Sequence, residues 1–342
     1  PGPVATAPPA GYTPHMKPHP LLIQLAMLTT MVLWGVSFVA SKIVLDRIGP
    51  LPYMGFRFLL AAGILAVVLI AIGPPRFSRR THGMIALTAL AEPIAYFLFE
   101  SYGLSIVGAT TTSLIIALVP LAVMIMAAIF LGEAMHLRGV VAVVISIAGI
   151  ALLVFGEELL VSGGAAGDAL RGAVSGGHDP GEIDPTRKVL GVLLVLGAVF
   201  SAAGYITLAR SLTQKHDPIR LTILQTWWGA LFFFVLWQIT TPGFSTVADM
   251  PRIVWGALIF LVIGATVAAF LLYNWALKYE RAATAALYIN AIPVITAVTA
   301  WIVLDERLLP IQLVGAAFVL GAVRLSTWRS KVRRATTPVP EA

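Results

Sequence analysis

Ten long apolar runs divide this chain of 342 residues, and no other feature restricts its fold as strongly. They lie near residues 22–45, 51–72, 83–103, 106–131, 137–155, 188–209, 219–240, 253–277, 282–304 and 310–327. About 20 apolar residues form a helix long enough to cross the roughly 30 Å hydrocarbon layer of a bilayer. Only 11% of the residues are charged, against about 25% in a soluble domain. The runs therefore predict an all-α integral membrane protein with ten transmembrane helices.

A long polar segment separates the first five predicted helices from the last five. It covers residues 156–187 and is rich in Gly, Ser, Asp and Glu, whereas the other links are short. The first 20 residues contain seven prolines, which predicts a disordered tail. The predicted organisation is a tail over 1–20, a five-helix unit over 21–155, the linker over 156–187, a second five-helix unit over 188–328 and a basic tail over 329–342.

The basic residues predict the orientation of the helices. With the N-terminus in the cytoplasm, the inner segments carry 15 of the 23 Lys and Arg residues, the outer segments carry six, and two lie within helices. Cytoplasmic loops of membrane proteins carry this excess of positive charge. We therefore expect both termini in the cytoplasm and the 156–187 linker outside. The net charge of +7 is explained by the basic residues of the cytoplasmic loops and by a basic tail that favours anionic lipid. We therefore predict no nucleic-acid partner.

A weak internal repeat relates the two predicted units. A shift of 173 residues aligns the segment from Ala109 with the segment from Ala282, and 9 of 25 positions are identical. The identities include Pro120 with Pro293 and Glu133 with Glu306, which apolar composition explains least. Because each unit has an odd number of helices, the second unit crosses the membrane in the opposite direction. Inverted repeats of this kind are typical of secondary transporters that alternate access to a site at the midplane.

Several short motifs carry a resemblance to a known family. They are Leu33–Lys42 in helix 1, Phe56–Ala62 in helix 2, Ala109–Pro120 followed by Leu131–Glu133, and Ala282–Pro293 followed by Leu304–Glu306. In order and spacing the chain resembles a bacterial drug/metabolite transporter with two EamA domains. The resemblance implies transport of a small molecule across a bacterial inner membrane, with helices 3, 4, 8 and 9 at the centre. Helix 6 departs from the pattern, because Ser201–Tyr205 replaces the Trp-Gly of helix 1.

Glu92 is the predicted functional acid. It lies about ten residues into helix 3, roughly 15 Å deep at 1.5 Å per residue, and Pro93 follows it. Burial disfavours the charged form of a carboxylate, so Glu92 is a candidate for binding and releasing a proton. The alternatives are a site for a substrate ammonium group and a protonated Glu that bonds to a neighbouring helix.

Arg57 and Glu100 lie at a similar predicted depth in helices 2 and 3. We predict a structural or gating ion pair between them, with Arg57 bonding to backbone carbonyls as the alternative.

Polar and aromatic side chains near the midplane form a predicted substrate cavity. Any one of them could instead bond two helices together. The predicted cavity residues are Trp34, Ser37, Tyr96, Thr112, Tyr205, Trp228, Tyr273, Asn274, Tyr288 and Asn290.

The sequence also excludes several kinds of chemistry. It has no Cys, no phosphate-binding loop and no zinc motif, and its six His lie in tails or at helix ends. We therefore predict no catalytic residue, metal or cofactor, and no enzyme activity.

The predicted function is export of a small metabolite or drug-like molecule, such as an amino acid, an amine or an aromatic cation, by alternating access coupled to protons. The predicted partners are this small molecule, the proton and membrane lipid, and the sequence leaves monomer and homodimer open. One alternative is a gradient-independent exchanger or an importer of a polar, nucleotide-sugar-like metabolite. A membrane enzyme and a passive channel are further alternatives.

Overall fold

The computed structural model describes residues 18–131, 137–161, 184–241, 250–280, 282–306 and 308–327. All regular structure in these ranges is helical. Residues 1–17 of the predicted N-terminal tail, most of the 156–187 linker and the basic tail lie outside them.

The first half of the chain forms five helical elements. They are α1 (Pro20–Leu45), α2 (Pro50–Ile72), α3 (Arg79–Val107), α4 in two segments (Ala109–Ile116 and Val119–Leu131) and α5 (Leu137–Val161). Gly73 ends α2 with a φ of 79°, and Gly108 separates α3 from α4 with a φ of 81°. Residues other than glycine rarely adopt this left-handed backbone, so these glycines define two sharp breaks.

The second half forms five helical elements of corresponding order. They are α6 (Pro185–Thr213), α7 (Pro218–Thr240), α8 (Arg252–Leu277), α9 in two segments (Ala282–Tyr288 and Ile292–Leu304) joined by the turn Ile289–Ala291, and α10 (Pro310–Thr327). Asp184 and Asp217 begin α6 and α7 by accepting hydrogen bonds from the backbone N–H groups of Thr186 and Ile219, each at 3.0 Å.

The prediction of an all-helical membrane protein is confirmed. In the described residues, nine helices are long and apolar enough to cross a membrane, and the region Pro310–Leu325 is a shorter apolar helix. Large apolar side chains on their outer faces remain exposed, as in Ile70, Ile239 and Ile302, which are 83%, 74% and 71% exposed. Such faces are stable only against lipid.

The two halves repeat the same irregularities. The helix α3 contains a π-helical stretch at Leu90–Ala95, and α8 contains one at Leu261–Ala268. The helices α4 and α9 are both interrupted near their middle. Because each half contributes five helices, the halves are inverted relative to each other, as the sequence predicts.

Helices from the two halves pack against each other throughout the bundle. The main pairs are α5 with α10, α3 with α6, α2 with α7, and α1 with both α8 and α9. The α5–α10 contact is especially close, since a Cβ atom added to Gly149 would lie 2.8 Å from the Gly315 carbonyl oxygen. Small residues allow helix backbones this close approach.

The acid shared by the two repeats has a structural role in the second copy. Glu306 follows α9, and its carboxylate accepts hydrogen bonds from the hydroxyl and backbone N–H groups of Thr110 at the start of α4. Burial raises the pKa of Glu306, while these hydrogen bonds and the nearby Lys42 oppose the rise. Glu306 therefore connects the two halves at one end of the bundle. Its counterpart, Glu133, lies outside the described residues.

Candidate functional site

The helix α3 is broken at Glu92. Glu92 has φ −147° and ψ 122°, which is extended rather than helical backbone, and Pro93 has no N–H group to continue the helix. The carbonyl of Ala91 accepts a hydrogen bond of 2.7 Å from the Ser201 hydroxyl of α6. Gly229 of α7 packs on Pro93 so closely that an added Cβ would lie 2.5 Å from Pro93 Cγ. Neighbouring helices therefore hold the break in place.

A cavity of about 560 Å³, including its open mouth, lies beside this break. Seven residues singled out in the sequence line it: Trp34, Ser37, Arg57, Glu92, Tyr96, Glu100 and Tyr273. We call this space the main cavity.

Glu92 lies in the wall of the main cavity and is 6% exposed. No hydrogen bond from the residues that the structure describes reaches its carboxylate. The charged groups that act on it are Glu100 and Arg57, which line the same cavity. A buried carboxylate without a protein donor is free to bind a proton or a cationic group of a ligand.

Arg57 of α2 is fully enclosed at 1% exposure. Its Nε donates to Thr266 Oγ1 of α8 at 2.7 Å, and its Nη1 donates to the Tyr53 hydroxyl. The guanidinium carbon lies 4.5 Å from the centre of the Phe97 ring, a distance at which a cation is attracted to an aromatic face. Arg57 thus binds helices of both halves together.

Glu100 lines the main cavity together with Arg57. Its Oε2 accepts a hydrogen bond of 3.2 Å from the Ser101 hydroxyl. The ion pairs of the described residues do not include one between Arg57 and Glu100. Arg57 and Glu100 both line the main cavity. Their electrostatic pairing stays a prediction.

Aromatic rings form part of the wall of the main cavity. The Trp34 ring lies 5.4 Å from Phe270 and 5.0 Å from Tyr273, and its Nε1 donates to the Ala265 carbonyl at 3.2 Å. The Tyr273 hydroxyl is buried and has no hydrogen-bond partner in the structure. Buried tyrosine hydroxyls usually have a partner, so this group is available to a ligand.

Two predicted cavity residues belong instead to a hydrogen-bonded network beside the main cavity. The Tyr205 hydroxyl donates to Asn274 Oδ1 at 2.9 Å, and Asn274 Nδ2 donates to Thr222 Oγ1 at 3.0 Å. Gln225 Nε2 donates to Thr88 Oγ1 at 2.9 Å. These contacts join α6, α7 and α8, and also α7 and α3.

The other predicted cavity residues do not line the main cavity. Thr112 is buried and donates to the Gly108 carbonyl at 2.6 Å, while Trp228 is 45% exposed on the outer face of α7. Tyr288 and Asn290 lie at the break in α9, where Asn290 Oδ1 is buried and has no hydrogen-bond partner among the described residues.

The apolar part of the cavity lining was not predicted from the sequence. These residues are Phe38, Phe97, Ile116, Val119, Ala202, Ile206, Phe270, Ile289 and Ile292. Apolar residues that face a cavity have the same composition as those that face lipid. No signal in a single sequence separates the two groups.

Comparisons with known proteins match both halves of the chain. The EamA-like transporter family matches at residues 21–155 and again at residues 189–328. A "Probable terminal-alkyne amino-acid exporter" of Streptantibioticus cattleyicolor is 25% identical over 92% of this chain and 96% of its own length. A "Probable amino-acid metabolite efflux pump" of Escherichia coli is 26% identical over 90% of this chain and 95% of its own.

A solved crystal structure is also similar. It has a TM-score of 0.56 and 17% sequence identity, and the similarity covers 89% of this chain and 96% of the other. At this identity the likeness concerns the fold alone.

Proposed function

The chain belongs to the EamA-like transporter family, and on that premise we propose that it exports a small amine-bearing metabolite in exchange for protons. Glu92 binds the proton and the cationic group of the substrate in turn. The family makes the chain a multi-pass membrane transporter of small metabolites. The proposal adds the direction of transport, its coupling to protons and the class of substrate.

The observation that carries the proposal is the environment of Glu92. Its carboxylate lies at a helix break beside a cavity of about 560 Å³, with no hydrogen-bond donor among the described residues. Broken helices surround the substrate and ion sites of many secondary transporters. A carboxylate there cannot hold a proton and an ammonium group at once, so binding of one releases the other. This competition is sufficient to couple the two movements.

The lining of the main cavity suits an apolar molecule with an amine. Two carboxylates, Glu92 and Glu100, face one guanidinium, Arg57, so the lining carries an excess of negative charge. The rings of Trp34 and Tyr273 offer an apolar wall. Amino acids, amines and aromatic cations all fit this description, and two relatives carry amino-acid transport in their printed names.

A series of three probes with the same phenyl ring and different head groups tests the proposal. The probes are L-phenylalanine, 2-phenylethylamine and 3-phenylpropionate, each radiolabelled and offered to proteoliposomes with an acidic lumen. We expect accumulation of at least one amine-bearing probe above its passive uptake into protein-free liposomes with the same acidic lumen, and no such excess for 3-phenylpropionate, because an unpaired carboxylate facing Glu92 and Glu100 is repelled. Dissipating the pH gradient with nigericin is expected to abolish the accumulation.

Three outcomes would contradict the proposal. Equal accumulation with and without the pH gradient would favour an exchanger or importer. Probe flux far faster than a conformational cycle would favour a channel. Accumulation of 3-phenylpropionate alone would show that Arg57, rather than Glu92, selects the substrate.

We place the chain in the bacterial plasma membrane with both termini in the cytoplasm, because basic residues concentrate on that predicted side. Cysteines at Ala165 and Ala335 are expected to react with an impermeant maleimide from opposite sides of the membrane. The natural chain has no Cys, so the unmodified protein is the control for background labelling. Labelling of both cysteines from one side of intact cells would refute the topology.

A further inference from the structure

A second, smaller cavity is also lined by Glu92. It has a volume of about 220 Å³, and its polar lining consists of Glu92, Thr222, Gln225, Thr226 and Thr266. We call this space the side chamber. Much of this volume is open or too narrow for water, so the chamber has room for about one water molecule.

Glu92 is the titratable residue that the two cavities share. Its carboxyl group is reached by a ligand in the main cavity and by water in the side chamber. A substrate that fills the main cavity blocks one approach to the carboxyl group and leaves the other open.

Polar groups lead from the side chamber to one end of the bundle. Thr222 of the chamber accepts a hydrogen bond from Asn274, which lies three residues before the end of α8. Thr222 itself lies four residues after Pro218, the first residue of α7. Both positions are within roughly 6 Å of the helix ends at 1.5 Å per residue. In the predicted topology this end faces the cytoplasm.

We infer that the side chamber is the path by which the proton leaves Glu92 for the cytoplasm while substrate occupies the main cavity. The inference rests on the proposed function. The Glu92 carboxyl group transfers its proton to a chamber water, and the resulting carboxylate then binds the cationic group of the substrate. Without this path the displaced proton would be trapped behind the substrate that displaces it.

The hydrogen bonds around the chamber favour a proton over a metal cation there. Thr266 Oγ1 in the chamber wall accepts from Arg57 Nε at 2.7 Å and donates to the Leu261 carbonyl at 2.8 Å, which leaves it little capacity to bind a metal. Thr222 Oγ1 accepts from Asn274 and donates to the Pro218 carbonyl, which leaves it little capacity to bind a metal. The other groups that interact with Glu92 are Glu100 and the phenols of Tyr96, Tyr205 and Tyr273.

Cysteine labelling tests whether water enters the chamber. Thr226→Cys places a thiol in the chamber wall, and Thr30→Cys is the matched control. Both threonines are buried, at 5% and 0% exposure, and lie eight and ten residues from the start of α7 and α1. We expect the cationic reagent 2-aminoethyl methanethiosulfonate to modify Thr226→Cys at least tenfold faster, as read by intact mass. Equal rates would mean that the chamber is dry and would overturn the inference.

Infrared spectroscopy tests whether the Glu92 proton leaves through the side chamber. The experiment needs no transport substrate. In D₂O at acidic pH, the band of the protonated Glu92 carboxyl shifts as hydrogen exchanges for deuterium, and its absence in Glu92→Gln assigns it. Gln225→Leu makes the chamber wall apolar and is expected to slow this exchange about tenfold. Gln238→Leu, on the same helix outside the chamber, is expected to leave it unchanged.

The outcomes separate the inference from the proposed function. Thr226→Val keeps the shape of the side chain and is expected to slow exchange even if Gln225→Leu disturbs folding. Unchanged exchange in Thr226→Val and Gln225→Leu would overturn the chamber path and leave proton coupling through the main cavity. A protonated-carboxyl spectrum that loses no intensity in Glu92→Gln would show that Glu92 holds no proton, and the proposed function itself would fail.

Discussion

Glu92→Gln is expected to lower the initial rate of proton-driven uptake by about 100-fold or more and to reduce accumulation to equilibrium. Glutamine has the size of a protonated glutamate but neither releases a proton nor forms an ion pair with an amine. Loss of a buried ionic partner costs about 3–5 kcal/mol, and each 1.4 kcal/mol is a factor of ten. The measurement is uptake of the accumulated phenyl probe into proteoliposomes with an acidic lumen.

Folding is expected to survive this substitution. No hydrogen bond from the described residues reaches the Glu92 carboxylate, so an amide in its place leaves no protein donor unpaired. Thermal unfolding in detergent checks this point. The control is Glu100→Gln, which neutralises the other acid of the main cavity and is expected to retain gradient dependence. Driven transport at the natural rate in Glu92→Gln would refute the coupling role.

The sequence was sufficient to predict the helices, because their length and apolar character follow from bilayer thickness alone. The break predicted between the apolar runs 83–103 and 106–131 falls at Gly108, whose positive φ separates α3 from α4. Pro93 indicated that α3 is weakened beside Glu92. The matching π-helical stretch in α8 has no proline, so its position around Thr266 could not be found in the same way.

The candidate site was less predictable, because depth along a helix says little about which way a side chain faces. Tyr273 and Trp228 are both aromatic and lie within apolar helices, yet one lines the main cavity and the other is 45% exposed. Phe97, which packs against the Arg57 guanidinium, carries no mark that separates it from a lipid-facing phenylalanine. The packing of inverted halves decides these directions, and it depends on the whole bundle.

Arg57→Met is expected to lower the free energy of unfolding by about 3 kcal/mol, within the range found when a buried charge loses its counter-charge. The melting temperature in detergent should fall by roughly 5–10 °C. Arg57 is the guanidinium that faces Glu92 and Glu100 in the main cavity. Without the guanidinium, the ionised carboxylates of Glu92 and Glu100 lose their nearest positive charge. Tyr53 keeps a hydrogen bond with Ser41 at 2.7 Å, so lost charge dominates the effect.

Two double variants determine which acid Arg57 compensates. If Arg57 and Glu100 act as a pair, Arg57→Met with Glu100→Gln recovers at least half of the lost melting temperature, because the unpaired charge is removed with its partner. Arg57→Met with Glu92→Gln is then expected to recover less. A larger recovery in Arg57→Met with Glu92→Gln would show that Arg57 compensates the charge of Glu92. Arg57 would then stabilise the ionised Glu92 carboxylate that exists between release of the proton and binding of the substrate. Recovery in neither variant would contradict pairing, and the hydrogen bond from Arg57 to Thr266 would then be what holds α2 against α8.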